Sequence, residues 1–306
     1  MPRTPPSGAA LATVSLFNRD PNRRAADPTG LLTSLYQPMP LPNNFRTGDG
    51  LNTAGYTWQR RSTDDFDVLN VKADHIFRTH HRAAYTYNAE QEAEYNTRYE
   101  QTFPDSPGGT LTRRDRLHTF SLVSTVRPTV LNEFRFGALR PNTRGRAPWE
   151  IAEHAGFLPR AGNQPYIPVF NLVSDVVVSD DDPVLLKSPL YQFTDAVTVI
   201  RGKHAFKLGG DLRLSTTDSF NSSDVMPRVH LGTGAVPVTG LDSIAGIGQN
   251  LANATSMLTD LSGSLASVAQ ALNATGGTNP QYQPGLYKYR KWQRPELVSS
   301  SRTIGK

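Results

Sequence analysis

The chain contains no cysteine in 306 residues. That excludes a thiol nucleophile, a thiolate metal site and a disulfide framework. The lack fits an exported bacterial protein. Long apolar runs are missing as well. Hydrophobic residues make up 37%, mean hydropathy is −0.44, and no run approaches the roughly 18 apolar residues of a membrane helix. Strong net charge is also missing: 32 Lys and Arg stand against 27 Asp and Glu, for a balance of +5. The arginines are scattered among acidic residues rather than striped on one face. That pattern predicts a solvated, mixed-charge surface and no nucleic-acid partner. The start, Met1-Pro-Arg-Thr-Pro-Pro, lacks the charged end, apolar core and small-residue cleavage site of a secretory leader.

Catalytic patterns are equally scarce. There is no Gly-x-Ser-x-Gly elbow. Gly305-Lys306 resembles the end of a phosphate loop, but Ser300 stands where its first glycine belongs. His80-His81 is the nearest approach to a metal pair. Adjacent histidines in a strand or turn point apart, and no carboxylate lies at ligand spacing, so a turn pair is expected rather than zinc ligands. Asp180-Asp181-Asp182 lacks the alternating ligands and glycine of a calcium loop and reads as a solvated acidic loop. The sequons at Asn221, Asn253 and Asn273 carry no meaning in a bacterial protein. The expectation is no enzyme, no cofactor and no metal, with ligand-binding residues unknown.

What is present is a rhythm. Three stretches fold back across tight turns: Asp67 to Ala89 around Arg78-Thr79-His80-His81, Arg116 to Arg140 around Arg127-Pro128-Thr129, and Gln192 to Leu214 around Gly202-Lys203. Within them side chains alternate with period 2. Leu69, Val71, Ala73 and His75 share one face, and Asn70, Lys72 and Asp74 the other. Ala83, Tyr85, Tyr87 and Ala89 oppose Arg82, Thr86 and Asn88. Phe206, Leu208, Leu212 and Leu214 oppose Lys207, Asp211 and Arg213. Gln192–Ile200 is ambiguous, because Asp195 falls on the face of Val197 and Val199. Gly209-Gly210 inside a strand suggests a bend or a close backbone approach.

Long, polar connections separate these hairpins. Short turns at one end and long loops at the other are the pattern of a transmembrane β-barrel, whose apolar set faces lipid and whose polar set faces a watery lumen. The predicted fold is all-β: a partial antiparallel transmembrane β-barrel with long loops and one helical insertion. Residues 1–61 read as irregular, with a short helix near Gly30 to Tyr36, and 62–297 as the barrel. The alternative is a soluble all-β binding or adhesion module, in which the charged face meets solvent. The helical insertion is expected over 243–273. There Ile244, Ile247, Leu251, Ala254, Leu258, Leu261, Leu265, Val268 and Leu272 alternate three and four apart, and no Lys or Arg occurs.

Several motifs resemble a known family. Leu41-Pro-Asn-Asn-Phe, Gly48-Asp-Gly-Leu-Asn-Thr-Ala-Gly-Tyr-Thr-Trp58 and Asp74-His-Ile-Phe77 look like the early barrel of TonB-dependent receptors. The subclass is the Oar-like group, which carries a carboxypeptidase-regulatory-like domain. Thr129-Val-Leu-Asn-Glu-Phe-Arg-Phe-Gly137 and Arg201-Gly-Lys-His-Ala-Phe-Lys-Leu-Gly-Gly-Asp211 are similar to later strands. The resemblance implies a barrel of about 22 strands around a plug. It also implies residence in the cell outer membrane, contact with outer-membrane lipid, and uptake of an unknown solute driven by the TonB energy-transducing complex. The leader, regulatory-like domain, plug and transducing motif of that family are not recognised here. The expectation is therefore a fragment that is non-functional alone, with no ligand-binding residue carried over. Residues 298–306 are expected to be off-frame: shifting the possible codons of Ser301 to Lys306 by one base yields Phe-Lys-Asp-Asp-Trp-Lys, closer to the strand the family would show.

Overall fold

The computed structural model describes residues 13–48, 52–154, 156–172, 182–221, 224–275, 278–279, 281–284 and 288–305. Two short helices come first, α1 (Leu16–Arg19) and α2 (Leu31–Tyr36). The second sits where the sequence placed a short helix. The strands β1 (Thr63–Phe77) and β2 (His81–Tyr95) then form the first hairpin, with Phe77 opposite His81. The second hairpin is β3 (Thr110–Arg127) and β4 (Val130–Arg140), continued by β5 (Asn142–Arg146). Two 3-10 turns and three short strands follow, β6 (Arg160–Ala161), β7 (Gln164–Pro165) and β8 (Ile167–Val169). The third hairpin is β9 (Val184–Lys187) leading into β10 (Leu190–Arg201), then β11 (His204–Asn221). Beyond it lie β12 (Arg228–Leu231), α3 (Leu251–Ser262), β13 (Leu265–Ala269), β14 (Leu272–Thr275), β15 (Gln281–Pro284) and β16 (Lys288–Gly305).

One large antiparallel sheet dominates, in the order β1-β2-β3-β4-β10-β11-β16. The strands β5 and β9 extend β4 and β10 rather than adding new rows. Against β3, Arg140 pairs with Arg116 and Thr143 with Arg113, so the register is unbroken across Pro141. Against β11, Leu190 pairs with Ser215 and Lys187 with Asp218, again in one register across Ser188-Pro189. Each break falls at a proline, which has no N–H to give to the ladder. The tight turns at Arg78, Pro128 and Gly202 all lie at one end of the sheet, and the long connections all leave the other end.

The register sorts the side chains into two faces. Across successive strands, Val71 meets Tyr87, Tyr87 meets His118, Phe120 meets Phe136, Phe136 meets Phe193, and Phe193 meets Leu212. The rings of Phe136 and Phe193 lie 4.9 Å apart. Among the described residues nothing packs on this apolar face: Leu208 is 61% exposed and Phe206 40%. A soluble sandwich would bury such residues against a second sheet. Asp195 does belong to this face, where its carboxylate accepts a hydrogen bond from Asn132 Nδ2 at 2.8 Å. Gly209 is a close approach: a Cβ there would meet the Asp195 carbonyl at 2.8 Å.

The buried apolar clusters lie among the loops instead. Leu32, Leu158, Ile167, Phe170 and Leu231 form one cluster, and Leu241, Ala254 and Leu258 another. Helix α3 contributes to the second, as Ala254 and Leu258 are one turn apart. The insertion is shorter than the expected 243–273. Gly263 takes a left-handed conformation with φ 69° and closes the helix, its N–H bonding to the Asp260 carbonyl. Residues Leu265–Ala269 then run as a strand beside β12. Leu265 and Val268 continue the helical spacing in sequence, yet both are exposed on that strand. The expected irregular segment 1–61 also contributes α1 and α2, which contact α3. The backbone of 298–305, expected to be off-frame, continues β16 in register with Asp211 to His204.

Candidate functional site: a polar wall beneath a folded loop

The second face of the sheet is a lattice of charge pairs. Asp74 on β1 meets Arg82 on β2 at 3.2 Å and Lys72 at 3.5 Å. Arg113 on β3 holds both Glu92 and Glu94 on β2. Glu133 on β4 reaches Lys207 on β11 at 3.3 Å, across the intervening strand β10. That reach passes over Ala196 and Gly209, whose small size leaves the path open. Asp211 accepts hydrogen bonds from Gln192 and from Thr194 Oγ1, the latter at 2.8 Å, and pairs with Arg213 at 3.0 Å. Charges at alternate positions thus find opposite charges on the same face, along one strand or across the sheet.

Two open depressions run along this face. One of about 250 Å³ is lined by Glu133, Arg135, Thr194, Lys207 and Asp211. The other, of about 440 Å³, is lined by Thr86, Thr119, Ser121, Arg135, Gln192 and Thr194. Their walls offer hydroxyl, amide, carboxylate, ammonium and guanidinium groups. The arrangement can hydrogen-bond a polar solute or a file of water.

The connection between β2 and β3 folds back over the loop end of this same face. Asn96, Tyr99, Phe103 and Ser106 are all buried there. Tyr99 lies over Gly145, where a Cβ would stand 2.1 Å from the tyrosine hydroxyl oxygen, so any larger residue displaces the ring. The Tyr99 hydroxyl donates to the Asp182 carbonyl at 3.1 Å, and the Asp182 carboxylate pairs with Arg228 at 3.1 Å. Segments from three separate connections are thereby tied together at one end of the polar face.

The residues singled out in the sequence fall elsewhere. His80 sits in the first tight turn, its Nδ1 2.6 Å from the Arg78 carbonyl, and His81 opens β2 with its ring stacked on Phe77. Asp180 and Asp181 lie outside the described residues, and Asp182 serves the loop contacts above. Gly305 ends β16, and Lys306 lies outside the described residues. No group of three metal-ligating side chains occurs among the described residues. The Glu133–Lys207 and Asp211 constellations were not anticipated. Their members were visible as alternating charges, but the pairing depends on register across strands that are far apart in sequence.

On the loop assembly, Asp260 is 1% exposed and accepts hydrogen bonds from the backbone N–H groups of Asn171 and Leu172 and from the Tyr36 hydroxyl. Burial, together with the Asp260 carboxylate, pushes the Tyr36 phenol well above its ordinary value. Asp20 is buried too, which works against its charge. The backbone N–H groups of Arg24 and Asn22 and the Arg24 guanidinium outweigh that cost and hold its carboxyl below the usual range.

No curated protein and no solved structure matches the chain. One family model does, over residues 6–294, and its description is outer membrane beta barrel domain. An antiparallel sheet with one bare apolar face, one charge-paired face, tight turns at one end and long connections at the other is what such a domain requires. The chain belongs to the outer membrane beta barrel domain family and is an outer-membrane protein.

Proposed function

We propose that this chain forms part of the wall of a wide outer-membrane barrel that admits a polar solute, with uptake driven by a TonB-type energy-transducing complex. The observation that carries the reading is the face on which Glu133 meets Lys207 and Asp211 meets Arg213, beside depressions that are open and also lined by Arg135. Such a surface suits a water-filled lumen of large diameter. The sheet is open among the described residues, since β1 and β16 each have a strand partner on one edge only. Unpaired edges are costly in lipid, so a functional barrel needs further strands to close it. The loop bearing Tyr99 lies where a solute would enter, and it would gate or bind that solute. The energy coupling and the Oar-like subclass rest on the motif resemblance alone. Catalysis has no part in this reading.

The test is uptake. A strain lacking the gene and a strain lacking the energy-transducing protein are grown on a panel of single carbon and iron sources. A shared defect on one source is expected. A gene deletion that grows normally on every source where the transducer deletion fails contradicts the proposal.

A further inference from the structure

We propose that the loop end of the apolar face carries a binding site for phosphate-bearing lipid headgroups of the outer leaflet. Six cations gather there: Arg114 and Arg116 on β3, Arg140 on β4, Arg144 and Arg146 on β5, and Lys187 on β9. The register puts them on one face. Arg116 stands directly opposite Arg140, Arg144 opposite Thr112, Arg146 opposite Thr110, and Lys187 opposite Asn142. The sequence had suggested scattered arginines. Antiparallel pairing of residues spaced by two gathers them instead.

All six are exposed, and none forms an ion pair among the described residues. The contrast with the polar face is sharp. There Lys72, Arg82, Arg113, Lys207 and Arg213 each meet a carboxylate, with Arg135 the exception. On the patch, Asp218 stands across from Lys187 but makes no ion pair. Like charges placed directly opposite destabilise a sheet. A patch of this kind therefore calls for an anionic counterpart beyond the described residues.

Position identifies that counterpart. The cations begin where the apolar ladder ends: Ala138 gives way to Arg140, and His118 to Arg116. From Val130 to Arg140 the strand rises about 33 Å, and at the usual barrel tilt this gives about 25 Å of height, the thickness of the apolar band. The patch thus lies at headgroup level, facing lipid, on the side of the long loops. Two open depressions of about 300 and 410 Å³ run between the side chains and share Arg114, Asn142 and Lys187. Guanidinium forks bind phosphate oxygens two at a time, which explains why five of the six are arginine. The inference rests on the outer-membrane barrel fold and not on solute uptake.

The full chain is folded in detergent, and its strand content is checked by circular dichroism. It is then floated with vesicles of phosphatidylcholine alone, or doped with lipid A, or doped with lipid A stripped of its phosphates. At least about tenfold more protein should float with intact lipid A than with either control, as expected for several basic side chains at a charged surface. Replacing all six by Gln (R114Q, R116Q, R140Q, R144Q, R146Q, K187Q) should abolish the preference, while R135Q on the opposite face should keep it. Where the six-fold variant loses strand content, R144Q/R146Q is read instead, with about a threefold loss expected. Equal flotation on stripped lipid A overturns the proposal, as does an undiminished preference in the folded variants. Abolition by millimolar inorganic phosphate would show a small-anion site and overturn the lipid assignment.

Discussion

The large sheet and the loop assembly handle apolar side chains in opposite ways. In the loops, Leu32, Phe170 and Leu231 cover one another, and the buried carboxylate of Asp260 is met by N–H and O–H donors. In the sheet, Phe136, Phe193, Leu208 and Leu212 share a face, and among the described residues no second layer covers them. The loop assembly carries its own solvent-excluded interior. The sheet relies on lipid to supply one. The same contrast separates the charges: on the polar face most cations meet a carboxylate, Arg135 being the exception, whereas the six cations above the apolar band form no ion pair among the described residues.

This comparison breaks most visibly at the apolar face. Leu208→Arg should cost about 2–4 kcal/mol of membrane stability if the residue meets the bilayer interior. Outer-membrane yield and heat-modifiable mobility should both fall. Lys207→Gln, one residue away on the other face, should leave both unchanged. Comparable losses from the two would mean that the faces do not differ in environment.

Asp260→Ala attacks the other region. It strips the Asn171 and Leu172 N–H groups of their acceptor, at a cost of about 1–3 kcal/mol. Limited proteolysis should open the connections between β5 and β9 and between β11 and β16, while strand content stays constant. Gly145→Val probes the junction of the two. Its side chain collides with Tyr99, and overpacking of that kind costs about 1–3 kcal/mol. Protease sensitivity should rise at 96–109 and hardly elsewhere.

The three hairpins were legible in the sequence because period-2 alternation and turn residues coincide at Phe77 to His81, Arg127 to Val130 and Arg201 to His204. The strand ends were not. Thr110 to Asp115 and Thr216 to Asn221 rise past the apolar band, so they carry no apolar alternation to read. The continuations past Pro141 and Pro189 were hidden by prolines that interrupt the ladder without ending the register. The helical seam misled beyond Gly263, because Leu265 and Val268 keep a helical spacing while serving an exposed strand. The basic patch left only a faint trace, two Arg-x-Arg pairs at Arg114/Arg116 and Arg144/Arg146. Tertiary pairing, not local sequence, makes it one surface.

The smallest expected effect is on acid sensitivity. The Asp20 carboxyl is depressed in the folded state, so its contribution is present above the ordinary value of 3.8 and is lost as pH falls through the lower folded value. Proteolysis of the segment around Arg24 should therefore increase only in strong acid. Asp20→Asn should raise the basal cleavage and remove that acid-dependent step. A wild-type transition near neutral pH would contradict this assignment.

The most direct test uses the absence of cysteine. Single cysteines placed in turn from Ala205 to Arg213 can be spin-labelled in outer-membrane vesicles without background. Each is read for collision with oxygen, which concentrates in lipid, and with a nickel chelate, which stays in water. The account predicts a period of two, with oxygen favoured at Phe206, Leu208 and Leu212 and the chelate favoured at Lys207, Asp211 and Arg213. Equal access along the strand, or the opposite phase, would contradict the claim that this sheet divides lipid from water.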